Sequence, residues 1–330
     1  MEKREVAGKY IQMGYPVRKV IGLVGIAPGS YYRKPSVGAR GRPQSTTTVD
    51  IHGGMVADPE VVGMIESVLA MKWVDYGYHK VTRWLQDEKG LRINRKKVLR
   101  LMQQHALTHG LRMAAKPQRL HAQGCSPMPS GPGLHFELDI IHLWMPASSR
   151  HVLLLNCIDL FHREWTEFAL GWSITHKDVI RVVERLVGKG CTKVVIRTDN
   201  GGQFSAGALA DALQQMGVTH EFIRPATPQQ NAHVESLHAT IRKVLPDFSD
   251  FKGIDDLRSE LQAFRAFYNN ERLHSATCYY PPMVFLRKWE DGLIQEKLDK
   301  HNHRKFLRAK GDVSPPVSEA ILVGGHNDKP

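Results

Sequence analysis

Along this chain of 330 residues the spacing of apolar positions changes several times, and each change marks a new element. Residues 4 to 35 read as a helix, a second apolar helix opened by Pro16, and a break at Ala27, Pro28, Gly29 and Ser30 before the aromatic, basic run Tyr31, Tyr32, Arg33, Lys34. This is a helix-turn-helix-like fragment, here assigned to residues 1–35. Residues 36–57 lack a hydrophobic period, are rich in Gly, Ser, Thr and Arg, and read as a linker. From Asp58 the period is helical again, with Val61, Ile65, Val68 and Leu69 on one face. A second helix centres on Val81, Trp84 and Leu85 and stops at Gly90. A third turns Val98, Leu99 and Met102 inward and Arg95, Lys96, Lys97 and Arg100 outward. Residues 58–115 therefore predict a second helix-turn-helix-type module whose last helix is charged for phosphate or groove contact.

Pro117, Pro127, Pro129 and Pro132 mark a boundary segment over 116–133. Beyond it the period shortens to that of strands. LHFELDII, HVLLLNCID and EWTEFALGW predict an antiparallel meander of three strands. A helix over about 177–186, a strand at Val194, Val195 and Ile196, a helix over about 205–216, a strand over 218–223 and two further helices follow. The expected fold over 134–290 is α/β, a mixed five-stranded sheet with flanking helices. The tail, 291–330, is expected to begin as a basic helix at HRKFLRAK and to lose order beyond Gly311.

Charge sharpens this division. Lys plus Arg outnumber Asp plus Glu by 21 to 9 in residues 1–130 and are balanced at 24 to 24 in residues 131–330. An early basic half suits a polyanion, and Arg95, Lys96, Lys97 and Arg100 are its candidate DNA contacts. A solvated basic surface would be the plain alternative. Cys125, Cys157, Cys191 and Cys278 have no paired spacing, so neither a disulfide framework nor a zinc site is indicated. With no apolar run of spanning length and no signal-like amino terminus, a cytoplasmic protein away from membranes is expected.

The chemistry concentrates between Lys193 and Lys243. Asp199 stands at the carboxyl end of a short β-branched strand, before the turn residues Asn200, Gly201 and Gly202. Glu235 follows after 35 intervening residues, on a helix whose apolar stripe is Val234, Leu237, Ile241 and Leu245, with Asn231, His238 and Arg242 beside it on an adjacent face. Thr227, Pro228 and Gln230 read as the cap of that helix. The interval holds one helix and one strand, enough to return the second acid beside the first. Carboxylates so gathered repel unless a cation lies between them, and magnesium or manganese is the usual one for phosphate chemistry. A third acid would come from the first strand, Asp139, with Glu137 and Asp159 as alternatives. Histidines His142, His162, His220 and His233 read as surface or packing residues.

These residues resemble a known family. ELDI, CIDLFHR, RTDNGGQF, NAHVESLHATIR and the late YNNERLHSATCYYPP, following the YGYHKVTRWL module, are similar in order and spacing to the DDE transposases of bacterial insertion sequences, family three, second-frame type, and to retroviral integrases. The resemblance implies a ribonuclease H-like core in which Asp139, Asp199 and Glu235 are the catalytic residues and hold two Mg2+ or Mn2+ ions. It implies that Arg242 faces the active site and meets DNA, that Asn200, Gly201 and Gln203 shape it, with Asn200 and Gln203 meeting DNA, and that Tyr268, Asn269, Arg272, His274 and Ser275 are structural or touch DNA. It further implies double-stranded DNA partners (element ends and target), a homo-oligomer on DNA, an upstream-frame protein as a further partner, and a bacterial, nucleoid-associated location. The sequence departs from relatives at Phe136, Ile141 and His142, and lacks the zinc-binding His and Cys module of retroviral integrases. Strand cleavage followed by strand transfer is the implied activity, and a nuclease without joining, or a non-catalytic DNA-binding regulator, are the competing readings.

Overall fold

The computed structural model describes residues 3–32, 44–108, 129–191, 193–224, 231–245, 247–298 and 305–310. It divides into two compact units, Met1–Thr46 and Thr47–Pro330. In the first, helices α1 (Lys3–Gln12), α2 (Val17–Val24) and α3 (Pro28–Tyr31) bury Ala7, Val20 and Ile21. The expected break at Ala27 to Ser30 is a single helical turn with Pro28 at its start.

The second unit opens on a short antiparallel hairpin, β1 (Thr47–Val49) and β2 (Met55–Ala57), inside the stretch expected to be linker. Its turn is closed by Asp50, whose carboxylate accepts from the backbone N–H of His52 at 2.8 Å and of Gly54 at 2.7 Å. Runs of three residues are too short to establish a period, which is why the pattern hid it. Residues 36–43 of that linker reading lie outside the described residues, as do 33–35 of the first fragment, 116–128 of the boundary segment and everything after Lys310.

Helices α4 (Asp58–Leu69), α5 (Tyr78–Asp87) and α6 (Arg95–Gln104) enclose a core of Val61, Ile65, Val68, Val81, Leu85, Val98, Leu101 and Met102. Leu101 takes the inward place expected for Leu99. Lys97 and Arg100 also turn inward, because Asp58 at the start of α4 pairs with them at 2.6 and 3.0 Å. Arg95 and Lys96 remain exposed.

The sheet consists of β3 (His135–Met145), β4 (Arg150–Asp159), β5 (Trp165–Gly171), β6 (Val195–Thr198) and β7 (Thr219–Phe222) in the order β5-β4-β3-β6-β7. The first three strands pair antiparallel, and β6 and β7 run parallel to β3. This is the expected ribonuclease H-like sheet. Alternation along the strands splits the core in two. Phe136, Leu138, Leu155 and Cys157 pack on Val179, Val183 and Leu186 of α7 (His176–Gly188) and on Leu209 and Leu213 of α8 (Gly207–Gln215). Ile141, Leu143, Val152, Leu154 and Trp165 face the other way, onto Val234, Leu237 and Ile241 of α9 (Ala232–Val244) and Leu261 and Phe264 of α10 (Ile254–Asn270).

The helical module is seated directly on α10. Trp73 stacks 5.7 Å from Phe264 and 5.4 Å from Phe267, and its Nε1 donates to Glu260 at 2.9 Å. Asp75 pairs with Arg272 at 2.6 Å and with Lys243 at 2.9 Å, and the backbone N–H of Leu273 donates to the Tyr76 hydroxyl at 3.0 Å. Asn269 mimics a strand neighbour: its amide accepts from the Trp165 N–H at 2.9 Å and donates to the Trp165 carbonyl at 3.1 Å. The late motif is thus structural at Asn269 and Arg272.

After α11 (Pro282–Glu290) the chain forms an antiparallel hairpin, β8 (Ile294–Leu298) and β9 (Lys305–Ala309), where a basic helix was expected. Ile294 and Ala309 are buried with Phe161 and Phe285, so tertiary pairing overrides the helical composition of the tail.

Candidate active site

Three elements carry the acids to one face of the sheet. Glu137, Asp139 and Ile141 alternate onto the α9 side of β3, and Arg197 pairs in register with Glu137, which puts Asp199, two residues later, on the same side just past the end of β6. Glu235 stands in the first turn of α9. The cap expected at Thr227, Pro228 and Gln230 lies outside the described residues, and α9 takes Asn231 as its N-cap. Its stripe of Val234, Leu237, Ile241 and Leu245 is buried as expected.

Burial pushes the Asp139 carboxyl up to about 6, and the charges of Asp199 and Glu235 add to that. The Ile140 N–H, donating at 2.8 Å, and the Arg242 guanidinium act in the opposite direction without cancelling it. The three acids therefore share one electrostatic environment with a net negative excess. They have not closed into a cage: among the described residues no group of three or more His, Cys, Asp or Glu side chains stands ready to hold a metal ion.

Asp199 is held by its own turn. Its Oδ1 accepts from the Gly201 N–H at 3.0 Å, and Asn200 Nδ2 donates to the Ile223 carbonyl at 3.0 Å, tying the turn to the end of β7. A Cβ on Gly201 would lie 2.6 Å from Gln203 Nε2 and 3.0 Å from Asp199 Oδ1, so a larger residue would have to displace the end of the Gln203 side chain and crowd Asp199. Asn200 thus braces the turn, and Gln203 lies over it.

Behind the acids is a layer of polar groups without partners. His238 Nδ1 lies 3.8 Å from Asp139 Oδ2, and burial, with Arg242 nearby, lowers this imidazole to about 3, so it is neutral. His238 Nε2, Asn231 Oδ1 and both amide atoms of Asn156 are buried without a hydrogen-bond partner. Asn156 faces Asp139 across the β3–β4 ladder. Buried polar atoms left unpaired are costly, and Asn156, Asn231 and His238 carry four of them. Hard carboxylate oxygens in excess, with orphaned polar groups behind them, are a donor set that suits magnesium or manganese.

The two alternative acids are otherwise engaged. Glu137 accepts from the N–H groups of His233 and Val234 at 3.0 and 2.9 Å. Burial pushes it up to about 7 even so. Asp159, at the carboxyl end of β4, accepts from the N–H groups of Gly133 and Phe161, each at 2.7 Å, and faces His162 Nδ1 at 3.0 Å. His162 is no surface residue: burial opposes its charge, but Asp159 and Glu164 outweigh burial and raise it to about 9. Helical spacing put His238 beside Glu235, but periodicity gives no sign of Asn156 or of the His162–Asp159 pair as polar centres, since an isolated polar residue in an apolar run carries no record of its partner.

Comparison with known proteins agrees with this layout. Residues 129–228 and 216–282 match two models of the integrase core domain, and residues 65–112 match an HTH-like domain. The chain is 29% identical over 216 residues to an uncharacterized 39.2 kDa protein of insertion element IS476 from Xanthomonas euvesicatoria, covering 64% of this chain and 60% of that protein. It is 27% identical to an uncharacterized 31.7 kDa protein of insertion element IS407 from Burkholderia multivorans, covering 64% and 76%. With the transposase of insertion sequence element IS904 from Lactococcus lactis it shares 25% identity over 43% of this chain and 57% of that one. Among solved structures, the simian T-cell lymphotropic virus intasome in complex with the PP2A regulatory subunit B56 gamma aligns with a TM-score of 0.43 at 15% identity, over 64% of this chain and 70% of that chain. The chain thus carries matches to an integrase core domain behind an HTH-like domain, and it is similar to proteins of bacterial insertion elements.

Proposed function

We propose that this protein is a DDE transposase that cleaves DNA at the ends of an insertion sequence and transfers the freed strand to a target phosphodiester. The observation that carries the reading is the convergence of Asp139, Asp199 and Glu235 from a strand, a strand end and a helix onto one face, where the first feels the charge of the other two. These three carboxylates would hold two magnesium or manganese ions. When bound, the ions supply Lewis-acid activation of the attacking oxygen and neutralise charge at the scissile phosphate.

The protein's own residues do the rest. Asp199 is oriented by the Gly201 N–H and its turn is anchored by Asn200, so the carboxylate is set before DNA arrives. Neutral His238 packs against Asp139 without competing for a cation. Arg242, exposed two turns after Glu235, is placed to meet the DNA backbone beside the acids, and Gln203 lines the same turn. Arg95 and Lys96, exposed on α6, would be its cations for DNA, whereas Lys97 and Arg100 are occupied with Asp58. Assembly on DNA as a homo-oligomer, and a contribution from an upstream-frame protein, complete the reading.

Incubating the protein with a linear fragment bearing the element's terminal repeats and a target plasmid tests it. Cleaved and joined products are expected with wild type, and neither with Asp199→Asn or Glu235→Gln, while both variants still bind DNA. Full activity in either variant would refute the assignment. Nicking without joining would favour the nuclease.

A further inference from the structure

Glu137 is 1% exposed, lies two residues before Asp139 on the same face of β3, and is not one of the three acids proposed to hold the cations. Its Oε2 accepts from the N–H of His233 at 3.0 Å and of Val234 at 2.9 Å, the second and third residues of α9. Arg197, opposite it in register, comes within 3.7 Å of Oε1 and is itself fixed to Glu221 at 3.0 and 3.2 Å. A helix begins with N–H groups that lack intrahelical acceptors and with the positive end of its dipole, and a carboxylate satisfies both. Asn231 at the N-cap makes no side-chain cap hydrogen bond, so Glu137, 96 residues from His233, does what a local cap residue would do.

We infer that Glu137 is a positioning residue: through its carboxylate, β3 grips the first turn of α9 and so fixes Glu235 relative to Asp139. Both ends of the grip adjoin a proposed cation ligand. Asp139 follows Glu137 by two residues and Glu235 follows Val234 by one. A local cap would start the helix equally well but would leave its distance from β3 unset. The inference rests on the reading of Asp139 and Glu235 as ligands.

Glu137→Ala and Glu137→Gln in the full chain, with Asp199→Asn as control, test it by three readouts. These are amide hydrogen exchange at His233 to Glu235 in metal-free protein, the Mn2+ concentration for half-maximal cleavage, and DNA affinity. In Glu137→Ala, exchange at those amides and the Mn2+ requirement should each rise about tenfold, with amides of β4 and α7 unchanged and DNA affinity within about twofold. Glu137→Gln keeps an acceptor oxygen and should raise both by about threefold only. If the alanine variant does not fold, the glutamine variant decides. Wild-type exchange and a wild-type Mn2+ requirement would overturn the inference, and so would faster exchange with an unchanged Mn2+ requirement, since that describes a cap without a positioning role. Asp199→Asn should keep wild-type exchange at His233 to Glu235. An active Asp199→Asn would sink the catalytic reading, whereas unaltered exchange in the Glu137 variants sinks only this one.

Discussion

Asp75 and Asp139 are aspartates of similar side-chain exposure, 16% and 22%, that face opposite ends of α9 in opposite surroundings. At Asp75 burial alone would raise the carboxyl, but Arg272, Lys80 and Lys243 outweigh burial and hold it at about 2. At Asp139 burial raises the carboxyl to about 6 and the nearest charges, Asp199 and Glu235, are of the same sign. One acid is fully compensated and joins the helical module to the core. The other is undercompensated. The same carboxyl group is thus held ionised in one place and pushed towards protonation in the other, and the neighbours decide which.

The sharpest way to break this contrast is to neutralise each acid. Asp75→Asn should destabilise the protein by about 3 kcal/mol, because Arg272, only 4% exposed, keeps its charge beside Lys80, which burial and Arg272 already lower to about 7. Asp139→Asn should instead stabilise the metal-free protein at pH 7.5 by about 2 kcal/mol while abolishing cleavage. Denaturant midpoints read both, and equal signs would remove the distinction.

The two sites also predict opposite pH responses. Asp75 has a folded-state value below its ordinary 3.8, so its contribution is present above pH 3.8 and is lost as pH falls towards 2. Asp139 has a folded-state value above 3.8, so the metal-free fold is favoured below pH 3.8 and loses that contribution as pH rises through about 6. Melting metal-free Asp139→Asn against wild type across pH 4 to 8 should show the difference opening over that interval. A pH-independent difference would contradict it.

The smallest expected effects lie on α6. Arg95→Ala and Lys96→Ala should each weaken DNA binding about threefold and reduce its salt dependence by about one counterion. Lys97→Ala should act mainly on stability, because it leaves Asp58 with one partner fewer. Fluorescence anisotropy at two salt concentrations separates the two behaviours.

What the sequence made legible follows from what periodicity records. Alternation along β3 and the stripe of α9 report burial, and so they located the sheet, the helix and the strand end bearing Asp199. They do not report partners. Lys97 and Arg100 look free in the sequence because Asp58 is about 40 residues away and meets them only once α4 and α6 pack. Glu137 looked like a spare acid because the N–H groups it accepts belong to a helix 96 residues on. The β1–β2 and β8–β9 hairpins were missed for a related reason: strands of three to five residues gain their character from the partner strand, not from composition.

Direct measurement of cation binding tests the central claim most plainly. Titrating metal-free protein with Mn2+ by calorimetry or electron paramagnetic resonance should give saturable binding in wild type that is at least about tenfold weaker in Asp139→Asn, Asp199→Asn and Glu235→Gln alike, with Asp75→Asn unaffected. Undiminished Mn2+ binding in those three variants would contradict the account.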